Sequence, residues 1–166
     1  MDPFPKGCLE NSPLKMLKNT FIFLILNFAA LAIGGLFTGS GVSSNWYQEI
    51  NKAPWTPPGW VFGASWALIM VCFATYMAYL IDAKNTKRII VLYAVQWFLN
   101  VSWNPVFFHF QNIKWGLAII SSLTILVAYF FSSYRKTLKL KTILIAPYLV
   151  WLFIATSLNA YIYFYN

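Results

Sequence analysis

The 166-residue sequence predicts an all-α protein, an integral membrane bundle of five transmembrane helices, and three observations carry that expectation. Hydrophobic residues make up 60% of the chain and charged residues 10%, with a mean hydropathy of +0.61, whereas a soluble domain is about a quarter charged. Five apolar runs, at residues 20–39, 59–81, 89–110, 115–134 and 142–164, reach the roughly 20 residues that a helix needs to cross a bilayer. The basic residues gather on alternate connections, the asymmetry of a multi-pass protein.

Residues 1–19 include Pro3, Pro5, Gly7 and Pro13 and are expected to form an irregular tail, with residues 20–166 as one membrane domain. In the first run, Lys15 and Lys18 precede Phe21 to Ile33 as they would in a signal peptide. The apolar stretch continues through Gly34, Gly35, Leu36 and Phe37 without a small-x-small cleavage site, and four spans follow, so an uncleaved anchor fits better. Ala30 with Gly34 and Gly35 with Gly39 place small residues one turn apart, which suits close helix packing or self-association. The fourth run carries Ser121, Thr124, Ala128 and Ser132 in a similar way.

The second, third and fifth runs carry mixed aromatic and polar faces. Phe62, Trp66, Met70, Phe73 and Met77 recur at helical spacing in the second; Gln96, Asn100, Trp103, Asn104, Phe107 and Gln111 in the third; Tyr148, Trp151, Ala155, Leu158 and Asn159 in the fifth. Three such faces can converge on one cavity. Spacing alone is explained as well by helix packing, since aromatic stripes and membrane amides commonly serve neighbouring helices.

Between Trp46 and Trp66 lie four tryptophans and three prolines, at the entrance to the second run. Pro54, Pro57 and Pro58 fix φ and remove donors, so the connection is stiff, and the indoles supply large flat surfaces. A rigid aromatic lid over a membrane helix points to ligand capture.

Orientation follows from charge. Lys6, Lys15 and Lys18, then Lys84, Lys87 and Arg88, then Arg135, Lys136, Lys139 and Lys141 share one side, against Lys52 and Lys114 on the other. Because cytoplasmic loops retain Lys and Arg, the N-terminus is expected inside and the C-terminus outside, in a bacterial cell membrane. The net charge of +8 is thereby explained by topology and anionic lipid, so no nucleic-acid partner is expected.

Other function classes lack machinery. No Asp, Glu, Lys or Arg occupies the central part of any span, which disfavours ion-coupled transport. No nucleotide-binding, hydrolase or metal motif is present, and the acidic residues form no catalytic pair. Cys8 and Cys72 lie in the tail and within the second run, which makes a disulfide between them improbable. His109 is the only histidine and sits at the end of the third run, where a hydrated interfacial imidazole is a better expectation than a haem ligand. No metal site is expected.

Three motifs then narrow the reading. Trp46–Tyr47 is followed by Lys52-Ala53-Pro54-Trp55-Thr56-Pro57-Pro58-Gly59-Trp60 and Trp66. Next come Leu99-Asn100, Trp103, Pro105 and Phe107-Phe108, then Pro147-Tyr148-Leu149, Trp151, Ala155-Thr156 and Leu158-Asn159. Over about residues 30–166 the chain resembles the tryptophan-rich sensory protein and translocator protein family, also called the peripheral benzodiazepine receptor family. The resemblance implies a five-helix bundle, often a homodimer, with a cavity beneath the first loop that binds porphyrin, haem-like tetrapyrroles, sterols and benzodiazepine-type ligands. Positions lining that family's pocket fall on Tyr47, Pro57, Phe62, Trp66, Asn100, Asn104, Phe107, Trp151 and Ala155, to which Trp55 and Trp103 are added as neighbouring aromatic candidates. Trp66 and Trp151 correspond to tryptophans linked in some bacterial members with light- and oxygen-dependent porphyrin breakdown.

One departure concerns sterols: the family's sterol motif places Lys or Arg after a Tyr near the C-terminus, and this chain ends Tyr161-Ile162-Tyr163-Phe164-Tyr165-Asn166. The expected function is thus a membrane tetrapyrrole-binding sensor, regulator or translocator, with no obligatory cofactor and porphyrin or haem as ligand. The alternatives are an enzyme-like porphyrin photodegradation through Trp66 and Trp151, and a sterol- or lipid-binding or purely structural membrane protein.

Overall fold

The computed structural model describes residues 13–84 and 86–166. Its long helices are α1 (Pro13–Val42), α3 (Gly59–Ala83), α4 (Lys87–Asn104), α5 (Ile113–Leu138) and α6 (Ala146–Tyr165), with a short α2 (Asn45–Glu49) in the first connection. These correspond to the five apolar runs, and no strand is present among the described residues. Four helical stretches are long and apolar enough to cross a membrane; the last of them, Ile113–Tyr165, contains both α5 and α6. Thr124 and Thr156, on opposite sides of the turn at Lys139–Ile145, bring their hydroxyls within 2.9 Å, so the chain doubles back there and α5 and α6 run antiparallel as two separate spans.

The boundaries differ from expectation where backbone chemistry decides them. α1 begins at Pro13, so residues 13–19 are helix rather than irregular tail; proline is well suited to a first helical turn because its missing N–H has no partner there anyway. Residues 1–12, with Cys8, lie outside the described residues. Residues 142–145 of the fifth run are not α-helical but part of a 3-10 turn, Lys139–Ile145. Pro147 cannot donate to the carbonyl four residues earlier, and α6 starts around it.

Pro105 acts similarly inside the third run. It ends regular α4 geometry, and the chain widens into a π turn, Pro105–His109, in which the Phe110 amide donates to Pro105 O at 2.9 Å. The widened turn shifts every later side chain around the helix axis. Phe107 and Phe108 are turned inward, whereas Gln111, expected on the same face, is exposed with φ 52°.

Around the bundle the order is α1, α3, α6, α5, α4, with α4 returning to α1. At the basic end the interior is solid: Ile69, Phe73, Tyr76 and Met77 of α3 pack with Phe130 of α5 and Tyr148 of α6. Its tyrosine hydroxyls are tied down, Tyr76 donating to Phe130 O at 3.0 Å and Tyr148 accepting from Gln96 Nε2 at 2.7 Å, while Gln96 Oε1 and Thr142 Oγ1 are buried without a partner among the described residues. Unpaired polar atoms are costly in hydrocarbon, which explains the pairing of the two phenols. At the opposite end the helices surround open space.

Candidate functional site

The hollow half encloses a cavity of about 630 Å³, within the range of small-molecule sites. Its floor and walls come from the tops of α1, α3, α4 and α6, and its roof from the aromatic first connection. Ser44 caps α2 by accepting from the Tyr47 amide at 3.2 Å, and Thr56 closes the following turn by donating to Ala53 O at 2.7 Å. A roof held by such local bonds and by prolines needs little further ordering.

Ten of the eleven candidate residues line this one cavity: Tyr47, Pro57, Phe62, Trp66, Asn100, Trp103, Asn104, Phe107, Trp151 and Ala155. Trp55 does not. Its indole is 54% exposed, donates to the Ser157 hydroxyl at 3.2 Å and meets the Tyr161 ring edge-on at 5.4 Å, fastening the roof to α6 from outside. Thr56 and Pro57, next in the chain, line the cavity instead.

Aromatic rings are set by one another. Trp103 stacks on Phe107 with centroids 5.3 Å apart, and Trp46 closes against Phe107 at 5.6 Å. Across the cavity, Phe62 meets Trp151 edge-on at 5.2 Å, and Trp66 meets Tyr148 at 6.0 Å. Offset and edge-on pairs of this kind fix ring orientation as well as burying area.

Three amides punctuate the apolar lining. Asn159 accepts from the Trp103 indole at 3.3 Å and donates to Ala155 O at 2.9 Å. Asn104 accepts from the Thr38 hydroxyl at 2.6 Å, which leaves its NH₂ as the unused group. Asn100 is only 8% exposed and makes no side-chain hydrogen bond among the described residues, so both its donor and its acceptor are available to a ligand. Burial pushes the Tyr47 phenol above its ordinary value, so it remains a neutral hydroxyl at physiological pH.

Sequence reasoning missed the contribution of α1. Ala30, Leu31, Gly34, Gly35, Thr38 and Val42 line the cavity, whose walls were expected chiefly from the second, third and fifth runs. Thr38, a polar residue one turn after Gly34 near the end of the run, is the available signal. Gln48, Lys52 and Thr56 of the roof were also unassigned. His109 is exposed beside the Phe37 and Phe110 rings, outside the lining, and no cluster of potential metal ligands occurs among the described residues.

The sequence matches the model of the TspO/MBR family over residues 22–165. It is 32% identical to the tryptophan-rich protein TspO of Archaeoglobus fulgidus, over 92% of this chain and 97% of that protein. Identity is 28% with the tryptophan-rich sensory protein of Cereibacter sphaeroides, over 82% of this chain and 87% of the relative. With the translocator protein of Homo sapiens it is 30%, over 75% and 79%.

Proposed function

Because the chain belongs to the TspO/MBR family, we propose that this multi-pass membrane protein is a sensor or translocator whose ligand is a porphyrin or related tetrapyrrole. The observation that carries the reading is the cavity itself, a space of about 630 Å³ with indole and phenyl walls and unused amides. A flat π-system gains dispersion and stacking against Trp66, Trp103, Phe107 and Trp151, while Asn100 and Asn104 offer hydrogen bonds to its polar edge. The N-terminus is assigned to the cytoplasm and the C-terminus to the outside of a bacterial cell membrane, on the ten-to-two partition of basic residues.

Titration of the purified protein with protoporphyrin is expected to quench tryptophan fluorescence saturably at roughly micromolar affinity, about −8 kcal/mol. Replacing Asn100 and Asn104 together with Leu is expected to weaken binding about tenfold, since each leaves a ligand polar group unpaired. Absence of saturable quenching in the unaltered protein overturns the reading.

One observation favours a second reading, in which the protein also destroys the porphyrin in light and oxygen: Trp66 and Trp151 both border the cavity. Under that reading Trp66→Phe with Trp151→Phe retains most binding yet stops light-dependent loss of the porphyrin absorption band. Equal bleaching by unaltered protein, variant and empty micelles removes it.

A further inference from the structure

The charge of the cavity is as informative as its shape. Lys52 is the only ionised side chain among the residues lining it, and no aspartate or glutamate accompanies it there. Its ammonium lies 4.6 Å from the centroid of the Tyr47 ring and forms no ion pair among the described residues. Glu49, one turn earlier in the chain, is exposed and outside the lining. A half-buried cation resting on a ring face is only partly compensated, because a cation–π contact returns less than a carboxylate partner would. Gln48 and Thr56, also in the roof lining, offer uncharged hydrogen-bonding groups beside it.

Resting on the tetrapyrrole reading, we propose that Lys52 anchors a carboxylate on the ligand rim, so that the cavity selects flat apolar acids over neutral molecules of the same shape. The apolar body lies among the indoles below, where no charge competes for it, and the acid points up to the roof. Charge-assisted N–H···O bonds are shorter and stronger than neutral ones, and a partly desolvated setting screens them little. Arginine retains the charge at this position, whereas glutamine retains length and polarity without it.

The experiment compares protoporphyrin, a diacid, with its dimethyl ester, which has the same ring system and no charge. Both are titrated against the full chain in neutral detergent by tryptophan quenching, with unaltered protein, Lys52→Gln, Lys52→Arg and Lys114→Gln. Lys114 is exposed and outside the cavity lining, so Lys114→Gln controls for net charge. The expected result is about tenfold tighter binding of the diacid than of the ester by the unaltered protein. Lys52→Gln is expected to remove that preference by weakening the diacid alone, with ester binding unchanged as the measure of an intact fold. Lys52→Arg and Lys114→Gln are expected to keep the preference. Equal affinities for diacid and ester in the unaltered protein, or the same loss in Lys114→Gln, overturn the anchoring role and leave porphyrin binding standing. Failure of both probes to bind overturns the porphyrin reading, and the anchor falls with it.

Discussion

Asn27 shows how much one amide does inside a bundle with little other polarity. It is 3% exposed, donates to Met70 O of α3 at 3.1 Å and accepts from the Tyr93 hydroxyl of α4 at 2.8 Å, so it joins three helices. Asn27→Ala leaves the buried Tyr93 hydroxyl without its acceptor and removes the added bond to Met70 O, and a cost of about 1–3 kcal/mol is expected as a lower melting temperature in detergent. Gly34 is needed for a different reason. A Cβ there would stand 2.5 Å from the Asn104 amide nitrogen, so Gly34→Ala must displace the side chain that Thr38 holds at the cavity wall. At neighbouring Gly35 a Cβ meets nothing within 4 Å. Porphyrin affinity is therefore expected to fall several-fold in Gly34→Ala and to stay unchanged in Gly39→Ala, where the site is outside the cavity lining and a Cβ likewise meets nothing within 4 Å, measured by the same quenching titration.

At the scale of elements, the small residues of α1 serve two tasks. Ala30 and Gly34 are buried against the interior and Gly35 borders the cavity, whereas Gly39 lies outside the lining with open space beside it. Gly39 marks the surface on which a homodimer is proposed, and Gly39→Leu, outside the cavity lining, is expected to reduce cross-linking in mild detergent without altering ligand affinity. Periodicity showed that Phe62, Trp66, Asn100, Trp151 and Ala155 share helix faces because regular α geometry connects them. It could not show that Gln111 leaves its face, since the extra residue per turn at Pro105 is a backbone event written in one proline. Restoring regular geometry with Pro105→Ala is expected to rotate Phe107 away from Trp103 and weaken binding, while thermal stability holds or rises. Trp55 was misplaced for a related reason: aromatic composition marks the loop as a roof, but which side of a roof a ring faces depends on a partner distant in sequence, here Ser157 and Tyr161.

As a whole molecule, the bundle is a plug at one end and a vessel at the other. The basic loops belong to the plug: Lys141 lies over the Tyr79 ring at 3.8 Å, and Arg88 donates to the Tyr129 hydroxyl at 2.7 Å. Single cysteines introduced near Lys139 and near Lys52 are expected to label from the cytoplasmic and outer faces respectively, and the reverse pattern overturns the assigned orientation. The roof is attached to α6 by a reciprocal clasp. The Asn51 amide donates to Asn166 Oδ1 at 2.8 Å, Asn51 Nδ2 to Tyr165 O at 3.1 Å, and Asn166 Nδ2 to Asn51 O at 3.2 Å. None of these residues lines the cavity, and they fasten its roof to α6, so the clasp is expected to slow entry and exit alike if the roof must lift. Three exposed bonds at the low end of about 0.5–1.5 kcal/mol each hold the clasp shut by roughly tenfold. Asn166→Ala is expected to raise association and dissociation rates together in stopped-flow quenching, with the equilibrium constant unchanged. On the proposed sensor reading, the clasp is then a timer: it would fix how long a captured molecule dwells, so that a signal read from occupancy would outlast brief fluctuations in supply.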